Sequence, residues 1–540
     1  MKKILILGGG FGGVYFANKL KKKKSKSFEI QLISNNNYFV FQPLLPEVAS
    51  GALNASDAVV PLRELLNGIK IRIAEIFQIN LIKQRVLVLQ GFRKRSHWID
   101  YDHLIIALGQ ESNLDHIDGL KEHAFTIRNL KDAYNIRNHI LSCLELADVT
   151  KDEKLKSGLL NFSVIGGGFS GVETIGEVKE MVDKVLPFYP NLKLSEINFY
   201  LVEYSKRILP ELPIDLGQYT MKIFLKNNIN VLCETELKKV TGTNIYLNDS
   251  KIINTHTVIS TIGSSVSEVI RKSEIKLNNG KIVTNENLQV EKYSNVWAIG
   301  DCAQTLNKNL KSEINYSPPT AQFAVRQSHL LAKNIFAFEN RKRLESFSYK
   351  SRGSLASLGS RTGIGKVYGI SIKGFFAWVI WRVFYLSFIP SFPTRLRIFF
   401  GWVLDFLVPR NAVMIEPYKK KPISLLCYNK GDIVFEEGML ADGFYVVKEG
   451  SFRLKYQNTK DGKDFIKIYK KGEHFGARAI LAGKRRTGNI VALQDSKVLK
   501  IDKASFILLH EDFPMLKKYL DEYLKANFKG LFLNETTKEN

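Results

Sequence analysis

Short continuous apolar runs open the chain and recur after residue 160, each followed by apolar positions at helical spacing. Lys3 to Leu7 leads into Val14, Phe16, Ala17 and Leu20, and Phe28 to Ile33 follows. Asn161 to Ile165 leads into Val172, Ile175 and Val178, and Asn198 to Val202 follows. Runs without polar alternation belong to strands covered on both faces, so this order predicts two α/β units with parallel sheets. A different pattern fills the end of the chain. Glycines at 431, 438, 443, 450, 462, 472, 476, 483 and 488 bound short stretches such as Phe452, Leu454 and Tyr456, which alternate with Arg453 and Lys455. That period predicts a compact antiparallel β-roll, followed by helices over Ala504 to Phe528.

Between the two patterns lies a third. Phe375 to Trp381 is uninterrupted apolar sequence, Arg382 breaks it, Val383 to Leu386 resumes it, and Pro390 and Pro393 bound it. This is shorter than the roughly 20 residues that span a bilayer. After Pro393, a helix from Arg395 to Val408 stacks Arg397, Gly401 and Asp405 on one narrow face, with Leu396, Phe399, Phe400, Val403 and Leu407 opposite. Such a helix suits a membrane interface, aromatics in the acyl boundary and arginines at anionic headgroups. The alternative is a helical hairpin packed on the protein's own core. From Arg352 to Arg410 there are eight basic residues and one acidic, and three of the five tryptophans fall here, a local and unusual bias.

Composition narrows the class. With 540 residues, 45% apolar and 24% charged, the chain has room for several ordinary globular domains, and wholesale disorder is excluded. A formal charge of +25 draws it to an anionic partner. The four cysteines, Cys143, Cys233, Cys302 and Cys427, form no C-x-x-C pair, which removes a disulfide scaffold, a zinc ribbon and a redox dithiol. The basic start before an apolar run is interrupted by glycines, unlike a secretory signal, so a cytoplasmic location is expected.

The two cradles carry the first chemistry. Gly8-Gly9-Gly10-Phe11-Gly12-Gly13 joins strand to helix as G-x-G-x-x-G. Gly8 makes the tight turn, Gly10 admits a pyrophosphate, and Gly13 lets helix and strand approach. The lysines at 21 to 24 and 26 close the helix, where they complement its dipole. At the end of the second strand, where an acid commonly holds the ribose, stands Ser34. Gly166, Gly168 and Gly171 repeat the device, with Glu203 on the next strand to accept a ribose 2′-OH and repel a 2′-phosphate, so NADH is preferred to NADPH. Tyr101 to Gly109 and Asn295 to Ile299 are further buried strands. Their tips bring Ala107, Gly109 and Asp301 to the cofactor, and Gly263 is counted with this set. Nine histidines lack ligand spacing, so no metal is assigned.

Asn37-Tyr38-Phe39-Val40-Phe41-Gln42-Pro43-Leu44-Leu45-Pro46-Glu47-Val48-Ala49-Ser50-Gly51, Val60-Pro61-Leu62-Arg63, Val202-Glu203, Ile208-Leu209-Pro210, Trp297 to Ala303 and Pro318-Pro319-Thr320-Ala321-Gln322 together resemble type II NADH dehydrogenase, the single-subunit, non-pumping NADH:quinone oxidoreductase, over residues 1 to 415. The resemblance implies a flavin disulfide reductase architecture with FAD and NADH as cofactors. Residues 1–113 form the first part of the FAD-binding domain, 114–287 an inserted NADH-binding domain, 288–348 the second FAD part, 349–417 an amphipathic membrane-docking segment and 418–540 the β-roll.

It also implies roles. Glu173 lies near the nicotinamide and delivers a proton to quinone, with Glu177 one turn on holding the weaker claim; Glu173 as a first-turn acid that stabilises the helix is the alternative. Thr320 is an N-cap for a helix whose N-terminus, with Gln322, faces the flavin. The family pattern A-Q-x-A-x-Q at the quinone site is met by Ala321, Gln322 and Ala324 but ends on Arg326, with Gln327 beside it. The expected partners are a membrane quinone and an anionic membrane surface, at the cytoplasmic face of the inner membrane, with a homodimer left open.

Lys430 to Gly438 and Phe444 to Gly450 resemble cyclic-nucleotide-binding domains. Phe475, Gly476 and Arg486 match that family's phosphate cassette, but Ala477 stands where a glutamate holds the ribose, so a cyclic nucleotide at Arg486 is set against a degenerate packing module. No recognition helix follows Lys484-Arg485-Arg486, so no nucleic acid is expected. Two other functions stay open at this point: an NADH-dependent reductase of a soluble protein acceptor, and a nucleotide-responsive redox signalling protein.

Overall fold

Each glycine cradle sits at the C-terminal end of the middle strand of a parallel five-stranded sheet. The structure, a computed structural model, describes residues 1–22, 27–309, 316–414, 422–457 and 464–527. The lysines at 23, 24 and 26, the boundary at 417/418 with Lys419 to Lys421, and Phe528 lie outside the described residues. The first sheet runs in the order Val296–Ala298, His103–Ile106, Lys2–Leu7, Phe28–Ser34, Lys70–Ile73, all parallel. Because side chains alternate across a strand, Ile4 and Ile6 join one core and Leu5 and Leu7 another. The first core lies under the helices Phe11–Lys22 and Ala321–Glu339; the second lies under an antiparallel sheet, Glu75–Asn80, Arg85–Gln90 and Arg95–Asp100.

The second parallel sheet runs Phe125–Thr126, Thr257–Ser260, Asn161–Ile165, Asn198–Val202, Ile229–Leu232. The chain leaves the first sheet after His103–Ile106 and returns to it at Val296–Ala298, so this unit is an insertion. The crossing is pinned where Glu111–Ser112 pairs antiparallel with Ser264–Ser265.

The expected run of helix between 349 and 417 begins instead with an antiparallel sheet, Gly353–Ser357, Gly363–Val367 and Ile370–Lys373. Helices Gly374–Phe388 and Phe392–Leu407 follow. Arg382 lies within the first, its guanidinium 4.1 Å from the ring of Trp378 and 4.5 Å from that of Trp402. The second starts three residues before the expected Arg395. Ser391 caps it by accepting from the Thr394 amide, and Pro393 sits in the first turn, where its missing N–H has no helical partner to lose.

The C-terminal residues form two four-stranded antiparallel sheets. One is Ile423–Tyr428, Ser496–Asp502, Gly443–Glu449 and His474–Phe475; the other is Ile433–Phe435, Asn489–Ala492, Ser451–Gln457 and Asp464–Lys470. Phe435, Tyr445, Phe452, Tyr469 and Phe475 pack between them. Lys497–Asp118 at 2.7 Å, Lys239–Asp495 at 2.9 Å and the Cys427 amide, donating to His123 Nε2 at 3.1 Å, tie this unit to the inserted domain.

Candidate active site

At the first cradle Gly8 takes φ +111°, and a Cβ there would lie 2.2 Å from the Ala107 carbonyl oxygen. A Cβ on Gly13 would lie 2.0 Å from the Gly8 carbonyl oxygen, so only glycine lets the helix close onto the turn. Gly10, by contrast, faces open space, as does Gly109 at the tip of the neighbouring strand. Ser34 is buried beside Gly9, and its Oγ accepts from the Asn36 amide at 3.2 Å, leaving its own proton to donate. Asp301 sits in the turn Gly300–Cys302. Burial pushes its carboxyl above the ordinary carboxylate range against the pull of Lys281 and Arg128. The turn is held by Gln327, whose Oε1 accepts from the Gly300 amide at 2.7 Å. Sequence reading saw Gln327 only as a neighbour of Arg326. Thr320 stands at the N-cap of the Ala321–Glu339 helix, but its side chain makes no capping bond, contrary to expectation. The first-turn amides therefore remain a positive end for a ligand. Open space at Gly10 and Gly109, an uncapped helix and a ribose-side hydroxyl fit a flavin dinucleotide.

The second cradle repeats the geometry. Gly166 takes φ +105°, a Cβ on Gly171 would lie 1.7 Å from the Gly166 carbonyl oxygen, and Gly168 faces open space. Glu203 Oε2 accepts from the Gly167 amide at 2.5 Å and Oε1 from the Ser205 amide at 2.7 Å, so the carboxylate is fixed at the mouth of the cradle. Gly263 sits at the interdomain crossing, where a Cβ would lie 2.1 Å from the Asn113 carbonyl oxygen.

The strand Gly353–Ser357 joins the remaining candidates. At one end, Gln322 Nε2 donates to the Gly353 carbonyl at 3.3 Å, while Gln322 Oε1 accepts from Tyr349 O–H at 2.5 Å and from the Arg352 amide at 3.0 Å. Arg326 lies 5.3 Å over the Tyr349 ring. At the other end, Glu173 Oε1 accepts from the Ser357 amide at 3.1 Å and from the Trp381 indole at 2.9 Å. Burial raises the Glu173 carboxyl to about 8.

Two residues without an assigned role in the sequence join Glu173. Glu47 Oε2 accepts from the Trp402 indole at 2.7 Å, and Arg410 Nη1 lies 3.4 Å from Glu177 Oε2. The signal for Glu47 was a lone acid inside the apolar stretch Leu44 to Ala49; nothing local marks Arg410.

On the Phe392–Leu407 helix, Gly401 meets Leu53 and Asp405 pairs with Arg410 and Lys184, so these two residues of the narrow polar face turn toward the protein while Arg397 is exposed. Leu396, Phe399, Phe400, Val403 and Leu407 are exposed, as are Phe375, Phe376, Ile380 and Val383 of the preceding helix. Arg395 is spent on the end of that helix, donating from Nε to the Ile389 carbonyl at 2.7 Å. Among the described residues no helix is long and apolar enough to cross a membrane.

In the C-terminal unit Arg486 is 3% exposed. Its Nη1 donates to the Gly476 carbonyl at 2.8 Å, and its Nη2 donates to the Gly443 carbonyl at 2.7 Å and to Asp442 Oδ1 at 3.1 Å. Ala477 is buried at the start of the helix Ala477–Leu481.

Residues 2–328 match the pyridine nucleotide-disulphide oxidoreductase family, 351–411 the NDH2 C-terminal domain and 425–512 the cyclic nucleotide-binding domain. A type II NADH:quinone oxidoreductase of Staphylococcus epidermidis is 30% identical over 379 residues, covering 69% of this chain and 91% of its own. One of Mycobacterium tuberculosis is 27% identical over 426 residues, covering 76% and 89%. Among solved structures, NDH2 of Plasmodium falciparum in complex with NADH superposes with a TM-score of 0.71 at 24% identity, covering 76% of this chain and 99% of that one.

Proposed function

The chain belongs to the type II NADH:quinone oxidoreductases, and from that premise we propose that it takes a hydride from NADH and reduces a membrane quinone, lying on the membrane through its 374–408 helices. FAD, when bound, supplies the two-electron carrier between donor and acceptor. Gly8, Gly10 and Gly13 would hold its pyrophosphate, Ser34 its ribose, and Ala107, Gly109, Asp301 and the Gln322 end of the Ala321–Glu339 helix its flavin half. Gly166, Gly168, Gly171 and Gly263 hold NADH, and Glu203 selects it by accepting from the 2′-OH and repelling a 2′-phosphate.

The observation that carries the reading is the strand Gly353–Ser357, which takes Gln322 at one end and the buried acid Glu173 at the other. Gln322, with Tyr349 and Arg326, orients the acceptor. Glu173, kept protonated by burial at neutral pH, gives it a proton. The exposed aromatic faces of the two helices supply the membrane contact, with Gly401 and Asp405 turned inward to the protein; this supports a peripheral enzyme, and the face in the proposal is the cytoplasmic one. The C-terminal β-roll adds a nucleotide-type module whose arginine is already occupied.

The test is anaerobic. Full-length protein in mild detergent receives NADH until its flavin absorbance bleaches, then a quinone analogue. Rapid recovery of absorbance is expected; bleaching that quinone leaves unchanged overturns quinone as acceptor and favours a soluble protein.

A further inference from the structure

The helix Phe169–Val185 carries Glu173, Glu177, Glu180 and Lys184 at spacings of four, three and four residues, which stacks them on one face. That face looks into the protein. Glu173 is 7% exposed and Glu177 4%, while the side chains of Glu180 and Lys184 are 15% and 26% exposed, so the row climbs from the cradle toward solvent. Glu47, 2% exposed, enters from the helix Leu45–Ala49.

The outer half of this cluster is well paired. Asp405 meets Arg410 through two bonds, at 2.8 and 3.3 Å, and Lys184 at 3.1 Å; Glu180 lies 3.2 Å from Arg410 and 3.4 Å from Lys184. The inner half is not. Glu47 Oε1 comes no nearer than 3.5 Å to Arg382 Nη2, and neither Glu47 Oε1 nor Arg382 Nε makes a hydrogen bond. Arg382 instead stacks between two indoles. Among the described residues five carboxyls, Glu47, Glu173, Glu177, Glu180 and Asp405, face four cations, Arg137, Lys184, Arg382 and Arg410. Among the described residues Arg137 bonds the Asn411 carbonyl and no carboxylate. With Glu173 protonated, the other four carboxyls face only three cations that pair with carboxylates, Lys184, Arg382 and Arg410, so their full ionisation would still leave uncompensated negative charge in the interior, which is costly, and a second proton stays. Tyr385 faces Glu173 from the aromatic helix and carries no charge at neutral pH, its hydroxyl raised by burial. Ser50 Oγ donates to Glu177 Oε2 at 2.7 Å.

We propose that Glu47 and Glu177 share a buried proton behind Glu173 and form the reservoir that refills it during quinone reduction. The inference rests on the quinone reading above. The overall change is NADH plus quinone plus one proton giving NAD+ plus quinol. The C–H bond of NADH breaks with both electrons leaving as hydride, one quinol O–H takes that hydrogen's equivalent, and the second O–H forms with a carboxyl proton. The carboxylate left behind regains its proton from water at the Lys184–Asp405 end. Glu47 and Glu177 act through Glu173 and so are positioning residues. Burial raises both carboxyls, Glu177 to about 7, in agreement with a retained proton.

E47Q and E177Q, prepared as full-length holoprotein, test the proposal by two readouts. Ferricyanide takes electrons without protons, so the ratio of quinone to ferricyanide turnover isolates proton supply. It falls about tenfold or more in each variant, through kcat rather than KM, and most steeply as pH rises. Infrared spectra in H2O and D2O show, beside the band of Glu173, a second protonated carboxyl band at neutral pH that survives E173Q and is lost in E47Q or E177Q. An unaltered ratio and band in both variants overturns the proposal. If E47Q does not fold, E177Q decides; an E173Q protein with no protonated carboxyl band overturns it without either variant. Failure of the wild-type protein to reduce quinone would sink the quinone reading instead, and the infrared result stands apart from it.

Discussion

Trp381 donates its indole N–H to Glu173 Oε1 across 2.9 Å, joining residues 208 positions apart. One belongs to the aromatic helix Gly374–Phe388, whose far side is open to solvent, and the other to the first turns of the helix that follows the second cradle. The surface that would meet lipid is thereby fastened to the acid that would serve quinone. A shift of the helix on a membrane would be felt at the carboxyl through a single bond.

Removing that bond has a signed consequence. An N–H donor stabilises the carboxylate, so W381F raises the Glu173 carboxyl further. Because the acid form gives the proton, quinone turnover in the wild-type protein falls as pH rises through about 8. In W381F the fall begins at higher pH, while the loss of a buried hydrogen bond lowers stability by about 1–3 kcal/mol. The pH profile of kcat with quinone, set against ferricyanide, measures the first effect, and thermal unfolding the second.

Glu203 is expected to set nucleotide choice. Each of its oxygens already accepts one backbone amide, from Gly167 or Ser205, and keeps a lone pair for a ribose hydroxyl. E203A should lower kcat/KM for NADH about tenfold, the worth of one hydrogen bond to a charged group, and raise kcat/KM for NADPH by removing the repulsion. Steady-state kinetics with both nucleotides and ferricyanide check it; unchanged preference would place specificity elsewhere.

Phe399 and Phe400 are 48% and 59% exposed, on the face of their helix away from Gly401 and Asp405. A pair of aspartates there touches no core contact. F399D/F400D should leave thermal stability near wild type yet move the protein to the supernatant when sedimented with anionic vesicles. Turnover with a long-chain quinone embedded in those vesicles should drop, and ferricyanide turnover should persist.

What the sequence made legible follows from how local each constraint is. The cradles could be read because Gly8 with Ala107, and Gly13 with Gly8, are steric demands of one strand–turn–helix unit. Glu203 could be read because it stands at the tip of the next strand. Glu173 was visible as a position but not as an environment, since Ser357 and Trp381 come from 184 and 208 residues away. Glu47 and Trp402, 355 residues apart, gave no sign of each other. Arg382 read as an interruption because charge in an apolar run argues against burial, yet two indoles make a place for a guanidinium. The amphipathic face of 395–408 was read correctly in its spacing, but periodicity alone does not say which side meets the protein. It is the small and acidic side, because Asp405 finds Arg410 and Lys184 there.

Arg486 bears on the C-terminal module in the same way. In a phosphate cassette the guanidinium must be free to meet the ligand, and here both terminal nitrogens are taken by Gly476, Gly443 and Asp442, with Phe435 at 4.1 Å beneath. A cyclic phosphate would have to displace Asp442, which also accepts from Tyr445 O–H at 3.0 Å and pairs with Lys500. Ala477 offers no acceptor to the ribose in return. Full-length protein should therefore bind labelled cyclic AMP and cyclic GMP weakly in equilibrium dialysis. D442N, which keeps shape and removes the competing charge, should tighten binding of either, and D442N/A477E, which restores the ribose acceptor, should tighten it further. Tight binding by the wild-type protein would mean that the Asp442–Arg486 pair opens readily and that the module senses nucleotide after all. Equal, weak binding by all three would leave the domain a packing unit on the NADH side, held by Lys497–Asp118 and Lys239–Asp495.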